Sequence, residues 1–558
     1  MASNLLIAST LFIFNKTIEW YLFPASFLVA VACLAIFYEE KIGLSFFIEI
    51  ITSLCILLLL ILICGSFYDT SWDGNAYHKF AIGLLKNHWN PLKELPYGKV
   101  VYDVIGTEQG SIWIEAYAKA TWIFGASIYA LTNNIECGKI YTLMGMMCAF
   151  GFTYSYLRQM RKNKAFCLLF SLFVAFNPIS INQMRTFLLD GYLHSILYLI
   201  CLSLFWLVQG TVNNKDIISR NIAISILASS MILCGNTKFT GLLYGGTFCI
   251  AYYLWYCFIT MKQTTYELTL CLKKCVSAGI CFAILALITI FWAGNSTYYT
   301  NLKRHHTLTY PLTAEYPEKP INVVAVGSAF KEENHFENLF ISLFSEMSDI
   351  RHYDKEYSPP KLKIPFCIRS LKEIKQLVSE SSSISGFGVF FSGVLVISIF
   401  AILVKLFLMQ KNWKFYFLFF SFVLNCALCF AVTASHMARY APYIYFIMLM
   451  GSYIILDSNV ICDKLKYVFA FLVMINSLSF ILGMYPTMLY TYETQKTLEE
   501  IKKSNSNIHI DTNLSGLYFN LHDNGISYTI KENLTNSEKA TLFFPHKMKR
   551  VNWNFSDD

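Results

Sequence analysis

Charge is what this chain has least of. Only 14% of its 558 residues are Asp, Glu, Lys or Arg, whereas 55% are hydrophobic and 16% aromatic. That balance excludes a disordered chain and an ordinary water-soluble domain, and identifies an integral membrane protein. No repeat of roughly 20–50 residues is visible, which disfavours a solenoid and an obvious inverted-repeat transporter. Residues 4–14 are apolar but lack both a preceding positive charge and a small-residue cleavage site, so they do not read as a cleavable leader. Metal-ligand spacing is missing too. The 17 cysteines lie mostly inside apolar runs, as Cys249 and Cys257 do, where they act as small hydrophobes. The one CxxC, Cys426-Ala427-Leu428-Cys429, has no second pair or histidine nearby and reads as packing. His305-His306 has no third ligand either.

What is present is long apolar runs. They predict roughly eleven to thirteen spans, from 3–14 and 19–38 through 43–64 to 440–456 and 467–484. The expected fold is an all-α polytopic membrane protein with external amphipathic helices and a small α+β tail. Its parts are N-terminal spans within 1–64, a first external loop 65–137, a span bundle 138–293, a large external loop 294–384, further spans within 385–484 and an external soluble tail 485–558. The basic clusters 158–164, Lys215/Arg220, Lys262/Lys273/Lys274, Lys411/Lys414 and Lys464/Lys466 all fall on one side of the alternation, which makes that side cytoplasmic. The net charge of +8 is therefore a membrane-orientation signal and does not point to nucleic acid. The tail alternates like a strand near 516–530.

The chain turns on Tyr68-Asp69-Thr70-Ser71-Trp72-Asp73-Gly74-Asn75-Ala76-Tyr77-His78, which begins just beyond the apolar run 43–64. Tyr77, Phe80, Ala81, Leu84 and Leu85 recur at helical spacing, with Lys79, Lys86 and Lys93 around them, which predicts an amphipathic helix in the headgroup plane. Asp73 stands where it could cap that helix.

Ionisable residues in or at the mouths of spans are costly, and so are functional candidates. They are Arg185, Asp190 and His194, then Lys238, then His436 and Arg439, all expected near the outer leaflet with Asp69 and Asp73. Glu49 is the exception, in the inner half of its span. Asp190 and His194, one turn apart, can equally satisfy each other or Arg185. The chemistry that fits is transfer from a polyprenyl-phosphate donor. A lipid phosphate leaving group needs fixed positive charge, and an acceptor hydroxyl needs a general base. Asp73 and Asp69 are the candidate bases, with the choice between them open. Lys238, Arg439, His436 and Arg185 are candidates for the phosphate, and Tyr77, His78, Asp190, His194 and Tyr440 for the substrate. No cofactor is assigned, although two carboxylates four apart could hold Mg²⁺ or Mn²⁺.

The chain resembles the GT-C superfamily of membrane glycosyltransferases, which includes the aminoarabinose transferases of lipid A and the protein O-mannosyltransferases. Those families have a span, an external loop opening with an acidic residue, then a Tyr and a helix running into a Trp-Asn-Pro-like end. Here the pattern is Asp73-Gly74-Asn75-Ala76-Tyr77-His78 through His88-Trp89-Asn90-Pro91. A late Arg-Tyr-x-x-Pro-like element has its counterpart, one residue short, in Arg439-Tyr440-Ala441-Pro442. Gly74 stands where many relatives carry Glu. The resemblance covers span order over 43–484. It implies a bacterial inner-membrane enzyme that moves a sugar, with inversion, from undecaprenyl phosphate to a periplasmic glycan or lipid acceptor, for example in O-antigen or capsule synthesis. The alternatives are a glycan polymerase or ligase of the same fold, and a lipid-linked sugar flippase. A flippase should carry polar residues at mid-depth on several spans, where only Glu49 comes close.

Overall fold

A computed structural model describes residues 1–37, 42–108, 110–213, 220–263, 268–312, 334–348, 360–380, 384–504, 507–511, 515–530, 540–542 and 551–556. Seven helices among them are long and apolar enough to cross a membrane: Leu44–Gly65, Asp190–Gly210, Phe239–Lys262, Thr269–Trp292, Phe391–Leu408, Trp413–Ala431 and Asp463–Lys503. Shorter apolar helices accompany them, among them Ala2–Ile13, Lys164–Ala175, Arg220–Gly235 and Pro442–Leu456. This is a polytopic helical membrane protein. Of the cytoplasmic markers, Lys215 lies outside the described residues.

The helix ends follow from local chemistry. Asn163 accepts from the Ala165 and Phe166 amides at 2.7 and 3.4 Å, starting the helix Lys164–Ala175. Asn412 does the same for Trp413–Ala431 through Lys414 N and Phe415 N. The apolar stretch 165–180 is two helices, because Asn177-Pro178 stops the first and starts the second. Asn177 accepts from Ile179 N at 2.9 Å, and Pro178 occupies the first position of Pro178–Gln183.

The segment after Leu44–Gly65 folds back on the end of the bundle. Its helix Lys79–Lys86 packs between Ala120–Thr132 and the tail helix Leu517–Asp523. Every residue from Lys79 to Leu85 is buried, as are Trp89 and Trp122. The expected headgroup-plane helix is thus an interior one. Its apolar stripe was visible in sequence, but its polar face is covered by distant parts of the chain. The tail is α+β as expected, in a different arrangement. Strands β1 (Asn507–Asp511), β2 (Tyr528–Ile530), β3 (Ala540–Leu542) and β4 (Val551–Ser556) form a sheet of order β2-β1-β4-β3, with β1 and β2 parallel. Much of 516–530 is the helix Leu517–Asp523, because Tyr518, Phe519 and Leu521 all find buried surroundings.

Candidate functional site

The turn after Leu44–Gly65 is held by Asp69, which is buried. Its Oδ1 accepts from Ser71 N at 2.8 Å, and its Oδ2 from Ser71 Oγ at 3.0 Å and Phe187 N at 3.1 Å. Gly74 is required here. A Cβ at that position would come within 1.8 Å of Asp69 Oδ2 and 2.4 Å of Ser71 Oγ. Burial pushes the Asp69 carboxyl up to about 6, and Lys79 pulls it back only in part. Its oxygens are committed to this chain's own donors, so Asp69 and Asp73 do not present two free carboxylates to a cation.

Behind the turn lies a buried ionic knot that no sequence motif announced. Glu136 receives Lys79 Nζ at 2.6 Å, Lys139 Nζ at 2.5 Å, Asn520 Nδ2 at 2.9 Å and the Asp69 amide at 3.2 Å. Lys79 also donates to Asn75 Oδ1 and Asn520 Oδ1, both at 2.8 Å, so all three of its protons are used. Lys139 donates in addition to the Phe67 carbonyl. Burial pushes the Glu136 carboxyl up, but Lys139 and Lys79 outweigh it and hold it at about 2.

Asp73 differs from Asp69. Its backbone is helical and it makes no side-chain cap, so the expected N-cap role is not realised. The helix already contains it and continues through a π-turn, Gly74–His78, into Lys79–Lys86. Among the described residues its carboxylate has one ion pair and no hydrogen bond. The partner is Arg439 Nη1, 3.9 Å from Oδ2, and 31% of the Asp73 side chain remains accessible. Crowding by protein raises the Asp73 carboxyl above its ordinary value, while Arg439 opposes the rise.

Around Asp73 gather residues from separate helices. Lys238, just ahead of Phe239–Lys262, is paired with Asp190 Oδ1 at 2.6 Å. Lys238 Nζ lies 4.3 Å and Arg439 Cζ 4.7 Å from the centre of the Tyr440 ring, which both cations share. Burial presses the Lys238 ammonium towards neutrality, but Asp190 outweighs it and keeps it firmly charged. Tyr77 and Tyr117 complete the wall, with Tyr117 stacked on Trp122. Sequence reasoning found Asp73, Lys238, Asp190, Arg439, Tyr440 and Tyr77, and the structure brings them together. It missed Tyr117 as a site residue, because between Trp113 and Trp122 in a half-apolar stretch it reads as one more membrane-touching aromatic.

The other candidates are not part of this ion-pair cluster, although the His78 ring packs against Tyr77 and Tyr117. His78 accepts from Trp122 Nε1 at 2.9 Å, and burial lowers its ring to about 3, leaving it neutral. His194 does not pair with Asp190. It lies between Asn177 Nδ2 (3.1 Å) and the Arg439 carbonyl (3.2 Å), so it acts as a strut beneath the Arg439 backbone. Arg185 is buried below the turn, donating to Asn182 Oδ1 and the Val378 carbonyl at 3.0 and 2.9 Å. His436 lines a separate small cavity with Ser342, Ser385, Phe387 and Phe391. Neither Arg185 nor His436 joins the cation pair. Glu49 is exposed on Leu44–Gly65 and takes no part.

No family model matches the chain, and no curated protein matches it. Among solved structures it is similar to ArnT from Cupriavidus metallidurans, in the apo state (TM-score 0.44, 9% identity) and bound to undecaprenyl phosphate (TM-score 0.42, 11% identity). Each comparison covers 86% of this chain and 85% of that one. This chain resembles ArnT. A likeness at that level leaves the chemistry to be read from this chain's own residues.

Proposed function

We propose that the protein is a glycosyltransferase that moves a sugar from a polyprenyl-phosphate donor to an acceptor hydroxyl on the external face of a bacterial inner membrane. The observation that carries this reading is the Asp73 carboxylate, accessible and free of hydrogen bonds, beside two partly buried cations that share one aromatic ring. Asp73 takes the proton of the acceptor hydroxyl as its oxygen attacks the anomeric carbon. The bond from that carbon to the phosphate oxygen breaks, and the charge gathering on the lipid phosphate is met by Arg439 and Lys238. A single displacement of this kind inverts the anomeric centre. Asp190 holds Lys238 in place, His194 supports Arg439 from behind, and Tyr77, Tyr117 and Tyr440 give the sugar apolar and hydroxyl surface. Asp69 belongs to the scaffold in this reading. The acceptor is a surface glycan or a lipid.

The test is direct. Purified protein is incubated with a labelled polyprenyl-phosphate sugar and candidate acceptors, and free polyprenyl phosphate is followed. Release in step with glycosylation of the acceptor is expected. Passage of the intact donor across vesicles without bond cleavage would mean a flippase.

A further inference from the structure

The tail reaches the acidic turn and the elements packed behind it at four points. Gly516 N donates to the Asn75 carbonyl at 2.7 Å. Phe519 covers Gly83 so closely that a Cβ there would meet its ring at 2.2 Å. Asn520 both accepts from Lys79 and donates to Glu136. Asp523 accepts from Tyr129 Oη at 2.5 Å and from Ile135 N at 2.7 Å. Asn75 is therefore fixed twice. Its side chain donates to the Asp69 and Ser71 carbonyls at 2.9 and 2.8 Å, and its own carbonyl is taken by the tail. Asp73 sits between Ser71 and Asn75, on the stretch so clamped.

We infer that the C-terminal segment 515–523 is a positioning element for Asp73, acting through Asn520 on the Lys79–Glu136 pair and through Gly516 on Asn75. This rests on the proposed function only for the role of Asp73, since the mechanical link stands on the contacts alone. Without Asn520, one Lys79 proton and one acceptor position on Glu136 lose their partners in a dry site. The turn then relaxes, and displacement of a base by about 1 Å costs up to roughly a hundredfold in rate.

The test uses full-length Asn520→Ala, with Gly516→Ala as an independent second variant, because a Cβ there would come within 2.6 Å of the Asn75 carbonyl oxygen. Hydrogen exchange of amides 69–78 should speed up by at least about tenfold in both, with exchange in the helix Asp190–Asn213 unchanged. kcat should fall by about tenfold or more while KM for the donor stays within about twofold. Unchanged exchange at 69–78 overturns the inference. So does a uniform acceleration throughout the chain with kcat and KM altered together, which would mark the tail as general structural support. If wild-type protein shows no transfer at all, the exchange result still decides the link, and the failure belongs to the proposed function.

Discussion

Replacing each of the two aspartates by asparagine should give opposite phenotypes. Asp73→Asn removes a base that makes no hydrogen bond and one 3.9 Å contact with a partly accessible guanidinium. The structural cost is that of a solvent-reached ion pair, about 0–1 kcal/mol, while turnover should fall by about 10²- to 10⁴-fold. Asp69→Asn is the reverse case. The two Asp69 oxygens face the Ser71 and Phe187 amides, both donors. Whichever oxygen becomes the NH₂ group meets an N–H at about 3 Å, orphaning a buried amide and losing a charge-assisted bond. At about 1–3 kcal/mol for each such loss, the variant should be destabilised by about 2–4 kcal/mol. The assay pairs donor turnover in detergent with unfolding of the same preparation. Turnover by Asp73→Asn within about threefold of wild type refutes its assignment as base, and wild-type stability of Asp69→Asn refutes its assignment to the scaffold.

Arg439→Ala and Lys238→Met should each lower turnover by about 30- to 1000-fold with acceptor binding nearly unchanged, and the double variant should lose less than the product. Arg439→Lys should also be impaired, because an ammonium cannot form the two-pronged phosphate contact, and donor kinetics will show it. Glu136→Gln leaves Lys79 and Lys139 without a counter-charge in a dry site, so unfolding at pH 7 should show a loss of about 3–5 kcal/mol. For pH, Asp69 lies near 6 in the folded chain, above its ordinary 3.8, so its contribution to stability is present at low pH and lost as pH rises through 6. Glu136, held near 2, contributes uniformly above pH 4.5 and loses its share only as pH falls towards 2. Going from pH 7.5 to pH 5, wild type should therefore gain stability relative to Asp69→Asn, a comparison in which the other titrating groups cancel. Cysteine labelling should reach 65–137, 294–384 and 485–558 from outside and 158–164 from the cytosol.

The polytopic helical class was legible, although seven helices among the described residues are long and apolar enough to cross a membrane where roughly eleven to thirteen spans were expected. So was the gathering of Asp73, Lys238, Asp190 and Arg439, because charge in an apolar run is conspicuous. The choice between Asp69 and Asp73 was not, since it depends on the Phe187 amide, 118 positions away. The Lys79–Glu136–Asn520 knot was hidden for the same reason. Its members are 57 and 441 positions from Lys79, and Lys79 alone looks like any solvated lysine on an amphipathic helix. Arg185 and His436 lie away from the cation pair because membrane depth, which sequence order gives, is not lateral position, which only packing gives. Gly74 was noted as a departure from the family pattern. Its cause, the Asp69 carboxylate occupying that space, is a matter of three dimensions.

Two of the helices leading to the site are short. Lys164–Ala175 has 12 residues and Pro442–Leu456 has 15, about 18 and 22 Å at 1.5 Å per residue. A hydrocarbon slab is about 30 Å thick, so neither crosses it alone. Asn177 follows the first and Arg439 precedes the second, so polar groups begin where lipid tails would still be found beside a full-length helix. Asn177 and most of Pro442–Leu456 are buried, so the polar backbone at this depth is covered by neighbouring helices and does not face lipid. A lipid whose charged head has to reach Arg439 would therefore sink towards the protein while its neighbours stay level.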